Sequence, residues 1–245
     1  MNFLNKFPIY YINLNKRVDR KNHIEKLLNS NNMTNFTRIE AYDGDKLKTY
    51  ENLKVINEEN NCTSIYQQCC LFSHLKAIKT AYDNGDKFAF IIEDDLNIEY
   101  KNKWFYLFSS KYNDNIMTNT PDDWDLLKFH CCYPRYTNIL IKRLKKKMNK
   151  YQKWDPRSFS TACYLINRKG MKKILDKFFI NNKYVIYGEK DYVADIILYK
   201  LLNTYDYIHP TFTVLNDTNN IGTPKCLFND SNYLIRFFLK RKINT

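Results

Sequence analysis

The segment Ala89–Tyr100, AFIIEDDLNIEY, sets a short apolar run directly before three consecutive carboxylates, Glu93, Asp94 and Asp95. At an effective dielectric of about 20, two like charges roughly 4 Å apart repel by about 4 kcal/mol, so such a cluster needs water or a cation to relieve it. Carboxylates at i and i+2 of an extended segment point to the same side, which predicts that Glu93 and Asp95 converge while Asp94 faces away. Hard oxygen donors arranged this way suit Mn²⁺ or Mg²⁺, ions that bind one or two carboxylates together with substrate phosphates. The expected partner is a nucleoside diphosphate. A charged turn closing a buried strand is the alternative that the acids alone leave open.

Such a cluster needs a scaffold, and the chain alternates strand and helix up to it. Pro8–Leu14 reads as a buried strand, and Val18–Asn29 carries Ile24, Leu27 and Leu28 at helical spacing. FTRIEAYDGDKL, from Phe36, reads as a second strand ending in an Asp-Gly turn. Thr63–Tyr82 reads as a helix with Ile65, Leu71 or Phe72, Leu75, Ile78 and Tyr82 inward, stopped by Asp83-Asn84-Gly85. KFAFIIE follows as the strand of the acidic cluster. This alternation predicts an α/β fold whose mostly parallel sheet is covered on both faces, with ligands at the carboxyl ends of its strands. Glu93, Asp94 and Asp95 lie at such an end.

Beyond them the pattern predicts a helix around Tyr100–Ser110, a polar loop to Asp123 and the strand WDLLKFH. The basic stretch Lys142–Lys153 then interrupts the alternation and reads as a mobile loop or exposed helix within an insertion near 133–157. TACYLIN and RKGMKKILDKFF give a strand and a helix, EKDYVADIILYKLL an apolar helix, and YDYIHPTFTV a strand or extended segment. NYLIRFFLKRK is a basic amphipathic tail.

The 245 residues, 44% hydrophobic and 16% aromatic, suffice for one large α/β domain, 1–245, with a real core. Only 5 Gly and 6 Pro and no internal period argue against solenoids, linkers and disordered segments. Lys and Arg exceed Asp and Glu by 39 to 26, a formal charge of +13, which attracts nucleic acid, anionic membrane or phosphorylated small molecules. Seven cysteines, an odd number, include Cys69/Cys70 and Cys131/Cys132, which lack C-x-x-C spacing. They read as buried reduced thiols in a cytosol-like compartment, with a soft-metal site beside His74 or His130 as the lesser alternative. No run has the length of a membrane span, and FPIYYINL lacks the cleavage site of a secretory signal, so a soluble cytoplasmic protein is expected. The Asn, Lys, Ile and Tyr bias points to an AT-rich genome of viral or bacterial origin.

Several segments, in order, resemble glycosyltransferase family 25, which includes the bacterial lipooligosaccharide and the collagen galactosyltransferases. INLNKRVDR (Ile12–Arg20) is similar to its first strand and basic turn, and RIEAYDG (Arg38–Gly44) to its R-x-x-A-x-D-G element. CLFSHLKAIKTA (Cys70–Ala81) resembles its C-x-x-S-H helix, AFIIEDD its metal-site strand, and ACYLINRKGMKKIL its later strand and helix. Two positions depart: Cys69 stands where the family has a glycine, and Asn15 where it has an acid.

The resemblance implies a glycosyltransferase A-type fold, a UDP-linked sugar donor, and inverting transfer of a hexose to a glycan or protein hydroxyl with Mn²⁺ or Mg²⁺ bound. Asp95 becomes the expected direct ligand of the metal, with Glu93 or Asp94 on the donor ribose or a metal-bound water. Arg17 and Arg20 follow the first strand, where a guanidinium reaches a phosphate bidentately; a solvated helix start explains them equally. Asn13 is grouped with the donor-binding residues. Asp43 and Gly44 would shape the uridine end of the cleft, or form a plain turn. His74, with Ser73, would hydrogen-bond the donor or the acids, or be a satisfied core histidine. His209 would supply a last metal ligand, or simply end a strand. An inverting enzyme needs a base for the acceptor hydroxyl, and Asp191 and Glu189 in YGEKDYVAD are its candidates, with a helix cap as the other role for Asp191.

Two other functions compete. A nucleic-acid-binding protein would account for the +13 charge and the 20 tyrosines, though not for IIEDD. An inactive glycosyltransferase-like binding domain would account for Cys69 and Asn15.

Overall fold

The computed structural model describes residues 6–56, 63–98, 117, 120–146, 149–187, 192–209, 212–215 and 230–237. A seven-stranded sheet forms its centre. The chain opens with β1 (Ile9–Asn13), α1 (Val18–Ser30) and β2 (Phe36–Glu40), passes a 3₁₀ turn at Gly44–Thr49 and β3 (Leu53–Ile56), and enters α2 (Ile65–Asp83). It continues through β4 (Phe88–Glu93), β5 (Leu96–Asn97), β6 (Leu126–Lys128), α3 (Pro134–Lys145), β7 (Tyr151–Lys153), β8 (Cys163–Asn167) and α4 (Arg168–Phe178). The hairpin β9 (Phe179–Ile180) and β10 (Lys183–Tyr187) precedes α5 (Ala194–Leu201), β11 (Thr204–Tyr207) and β12 (Thr213–Val214).

The sheet order is β2-β1-β4-β8-β6-β11-β7. β2, β1, β4, β6 and β11 run one way, while β8, wedged between β4 and β6, and the edge strand β7 run the other. The expected mostly parallel α/β sheet is therefore present, with an antiparallel strand at its middle. The helix predicted around Tyr100–Ser110 lies outside the described residues. No helix among the described residues is long and apolar enough to cross a membrane.

Strand alternation divides the core into two layers. Tyr10, Ile12, Ile91, Tyr164 and Ile166 face α2, α4 and α5, whereas Ile9, Tyr11, Phe90, Ile92 and Leu165 face α1. α2 starts on a capping box: the Ser64 hydroxyl accepts from the Gln67 backbone and the Gln67 side chain accepts from the Ser64 backbone. Ten of its nineteen residues are buried, which pins the face that carries Ser73 and His74.

Among its described residues the basic stretch follows the helix reading at Lys142–Lys145 and, against both readings, forms a strand at Tyr151–Lys153. α3 anchors through buried Tyr136, Thr137, Leu140 and Ile141 and leaves Lys142, Arg143 and Lys145 in its last turn, where cations suit the helix dipole. Tyr151–Lys153 is then β7, the edge of the sheet, and its shortness and charged Lys153 work against pairing with other chains. Residues 230–237, which run into the expected tail, are helical and bury Ser231, Asn232 and Ile235. The Asn232 amide donates to the carbonyl of Val214 at 2.8 Å and accepts from its N–H at 3.2 Å. β12, held in this way, pairs with β5, and the Leu215 N–H donates to the carbonyl of Asp95 at 2.8 Å.

Candidate active site

β1 and β4 are parallel neighbours that end together, so Asn13 and Glu93 emerge on the same rim of the sheet. A cleft of about 720 Å³ opens there, lined by Lys16, Arg17, Arg20, Tyr42, Asp43, Gly44, Tyr66, Ser73, His74, the three acids, Ser160, Thr161 and Asp195 among others. That is within the roughly 300–1,000 Å³ of small-molecule sites.

The acids do not divide as strand alternation predicts. β4 stops at Glu93, and Asp94-Asp95 form a turn, so the i, i+2 rule lapses where it was applied. Glu93 stays on the α2 side of the sheet. Its Oε1 accepts from the Thr161 hydroxyl at 2.7 Å and lies 3.5 Å from His74 Nε2, while His74 Nδ1 is 3.0 Å from the Tyr164 hydroxyl. Burial alone would raise the Glu93 carboxyl, but its contacts with His74 and Thr161 bring it below the usual glutamate value.

Asp94 and Asp95 instead converge on Arg20, whose Nη1 lies 3.3 Å from Asp94 and 3.6 Å from Asp95. Asp94 also accepts from the Asn13 amide at 2.7 Å. Burial lifts the Asp94 carboxyl, and Asn13 and Arg20 only partly offset that rise. Asn13, buried under the rim and fixed from its other side by Arg38 at 3.1 Å, positions Asp94 and is not among the cleft-lining residues. Arg38 continues to Asn15 at 3.2 Å.

Arg17 lines the cleft beside Arg20 but forks onto Asp19, at 2.9 and 2.6 Å. Asp43 caps the 3₁₀ turn and, with Asp45, binds Lys16. Gly44 sits under the Tyr66 ring, where a Cβ would come within 2.4 Å of a ring carbon. Ser73 ties this loop to α2, accepting from the Tyr42 N–H at 2.9 Å and donating to the Cys69 carbonyl at 2.6 Å. Cys69 and Cys70 are free thiols on the cleft wall, and burial pushes the Cys69 thiol up to about 12, which keeps it protonated in the metal-free cleft.

His209 is not brought to the cleft. It is buried, two residues past the end of β11, with its ring stacked on Tyr207 at 4.9 Å. Glu189 and Asp191 lie outside the described residues. The same segment does deliver Asp195, in the first turn of α5, to the cleft wall. Burial raises its carboxyl and nearby Glu93 adds to the rise, while Lys128 and the backbone N–H groups of Asp195 and Ser160 act against it. YGEKDYVAD holds three acids, and nothing in their spacing singles out the last.

The wall beside Glu93 is held under strain. Ser160 has φ of 113°, a conformation that costs a non-glycine residue on the order of 1–3 kcal/mol. It is fixed by the Tyr199 hydroxyl on its carbonyl and by His130 Nδ1 on its side chain, both at 2.7 Å. Beneath it Lys128, fully buried, donates to Ser158 at 2.7 Å and lies 3.5 Å from Asp206. Ser160 and Thr161 carried no chemical signal in the sequence; only the pairing of β4 with β8 sets them against Glu93.

Among the described residues no group of three or more His, Cys, Asp or Glu forms a ready metal cage. The oxygens of Asp94 and Asp95 nevertheless supply hard donors on a cleft wall, the set that suits an ion completing its shell with phosphate and water.

Residues 6–188 match the family model described as glycosyltransferase family 25 (LPS biosynthesis protein). A solved structure titled as a glycosyltransferase involved in the glycosylation of the major capsid of PBCV-1 aligns over 94% of this chain and 98% of that chain, at 11% identity and a TM-score of 0.38. No curated protein matches the chain.

Proposed function

The chain belongs to glycosyltransferase family 25, and from that premise we propose that this glycosyltransferase takes a hexose from a UDP-linked donor and passes it, with inversion, to a hydroxyl of a glycan or protein. The observation that carries this reading is the convergence of two buried carboxylates and one guanidinium, Asp94, Asp95 and Arg20, in a cleft large enough for a nucleotide sugar. A nucleic-acid groove would not be walled by buried acids.

Asp94 and Asp95 would hold Mn²⁺ or Mg²⁺, which supplies charge stabilisation for the departing diphosphate. Arg20 and Arg17 flank that position and complement phosphate oxygens. Lys16, Asp43, Gly44 and Tyr66 form the polar and aromatic rim suited to the nucleoside end. Asp195, with its raised carboxyl on the cleft wall, would accept the acceptor's hydroxyl proton, since a base of higher pKa holds a proton better near neutral pH. Glu93, kept ionised by His74 and Thr161, orients groups in the cleft rather than moving a proton.

The test is donor hydrolysis against a panel of nucleotide sugars, with calorimetric titration of UDP in Mn²⁺ and in excess EDTA. A UDP-sugar should be hydrolysed, and UDP should bind far more tightly with the metal. Equal UDP affinity in both conditions would sink the metal reading.

A further inference from the structure

Arg20 is only partly engaged. Of its guanidinium nitrogens, Nη1 alone meets the acids, at 3.3 and 3.6 Å, longer than the roughly 2.7–2.9 Å of a good charge-assisted bond. Its Nε and Nη2 are buried and have no hydrogen-bond partner. The fork that makes arginine a bidentate ligand is thus unused. The side chain nonetheless neutralises two carboxylates that are themselves only 10% and 6% exposed. It projects from the first turn of α1, whose backbone is anchored by buried Ile24 and Leu28, so the side chain can move without the helix moving.

We propose that Arg20 is a displaceable internal cation: in the unliganded cleft it occupies the Asp94–Asp95 pair, and it is exchanged for a divalent cation when a nucleoside diphosphate offers its phosphates to the guanidinium. This rests on the metal-assisted, UDP-dependent reading above and adds a competitor built into the chain. A metal ion arriving alone must expel Arg20 from its carboxylates and leave the freed guanidinium without an anion. A diphosphate arriving alone finds Arg20 already committed. Arriving together, the two ligands pair every charge, so each strengthens the other through the exchange of Arg20.

The experiment measures Mn²⁺ binding alone, and UDP binding at saturating Mn²⁺, by calorimetry in the wild type, Arg20→Gln and Arg20→Lys. Arg20→Gln should bind Mn²⁺ alone about tenfold or more tightly than the wild type and bind UDP about tenfold or more weakly, opposite shifts of a size typical of coupled sites. Arg20→Lys keeps a cation beside the acids, and so the fold, but lacks the fork; it should shift both affinities in the same directions by less. Mn²⁺ affinity unchanged or lowered in both variants would overturn the competition, and UDP affinity unchanged in both would overturn the exchange. In either case metal-dependent UDP binding by the wild type would leave the functional reading standing. A wild type that binds UDP equally well without metal would remove that reading, and this proposal with it.

Discussion

His74 Nε2 lies 3.5 Å from Glu93 Oε1, across the join between α2 and the end of β4. The ring is held from behind by the Tyr164 hydroxyl at 3.0 Å, so it is aimed at the carboxylate by a residue of β8. His74→Gln should cost about 1–3 kcal/mol in urea melts by leaving buried polar atoms short of partners. Because the contact with His74 helps to hold the Glu93 carboxyl below its ordinary value, its loss should also move the acid limb of the hydrolysis profile to higher pH. A limb that stays in place would show that Glu93 does not govern it.

Asp195→Asn should leave metal-dependent UDP binding intact and depress transfer by roughly 10² to 10⁴, the usual contribution of a general base. Donor hydrolysis and transfer should be followed separately. If Asp195→Asn transfers normally while Glu189→Gln or Asp191→Asn does not, the base is one of those two acids.

Lys128 and Asp206 form a buried pair beneath the strained wall of the cleft. Lys128→Met leaves Asp206 uncompensated and should destabilise the protein by about 3–5 kcal/mol, whereas Lys128→Met with Asp206→Leu should recover much of that loss. Denaturant midpoints of the two singles and the double measure the coupling. Additive losses would mean that the pair is not a unit.

Burial, reinforced by Lys128 and opposed by Glu93, lowers the His130 imidazole to about 3, so the ring is neutral near neutral pH. An unfolded histidine titrates near about 6.5. Between these values the unfolded chain binds more protons. This residue's contribution is therefore complete above about pH 6.5 and is lost as pH falls toward the folded value, with a slope of up to about 1.4 kcal/mol per pH unit. The stability difference between wild type and His130→Gln, measured from about pH 7 to 5, should shrink as the pH falls. A pH-independent difference would contradict a buried neutral ring.

Much of the scaffold was legible because strand and helix periods are local. Ile9–Asn13, Ile65–Asp83 and Phe88–Glu93 show in their own spacing. The reversed direction of β8 was not, since a strand's polarity depends on which neighbours receive it. The three acids stood out as a candidate site and the structure puts all three on one cleft wall, but their division was not legible: it turns on the end of β4 at Glu93, and strand ends are weakly encoded. Arg20, as the answer to their repulsion, stands 74 positions before Asp94. Asp195 was hidden among chemically equal neighbours, and Thr161 became visible only when β8 lay beside β4.

The backbone of Asp95 is bonded to Leu215, and β12 beside it is gripped by Asn232. During synthesis from the amino end, β1, α1 and β4 leave the ribosome long before either residue exists. A nascent chain can therefore assemble most of the sheet while its acidic turn still lacks the strand that braces it. Ribosome-tethered fragments ending shortly before residue 213 should lack metal-dependent UDP binding, which should appear only once Leu215 and Asn232 have been made and released.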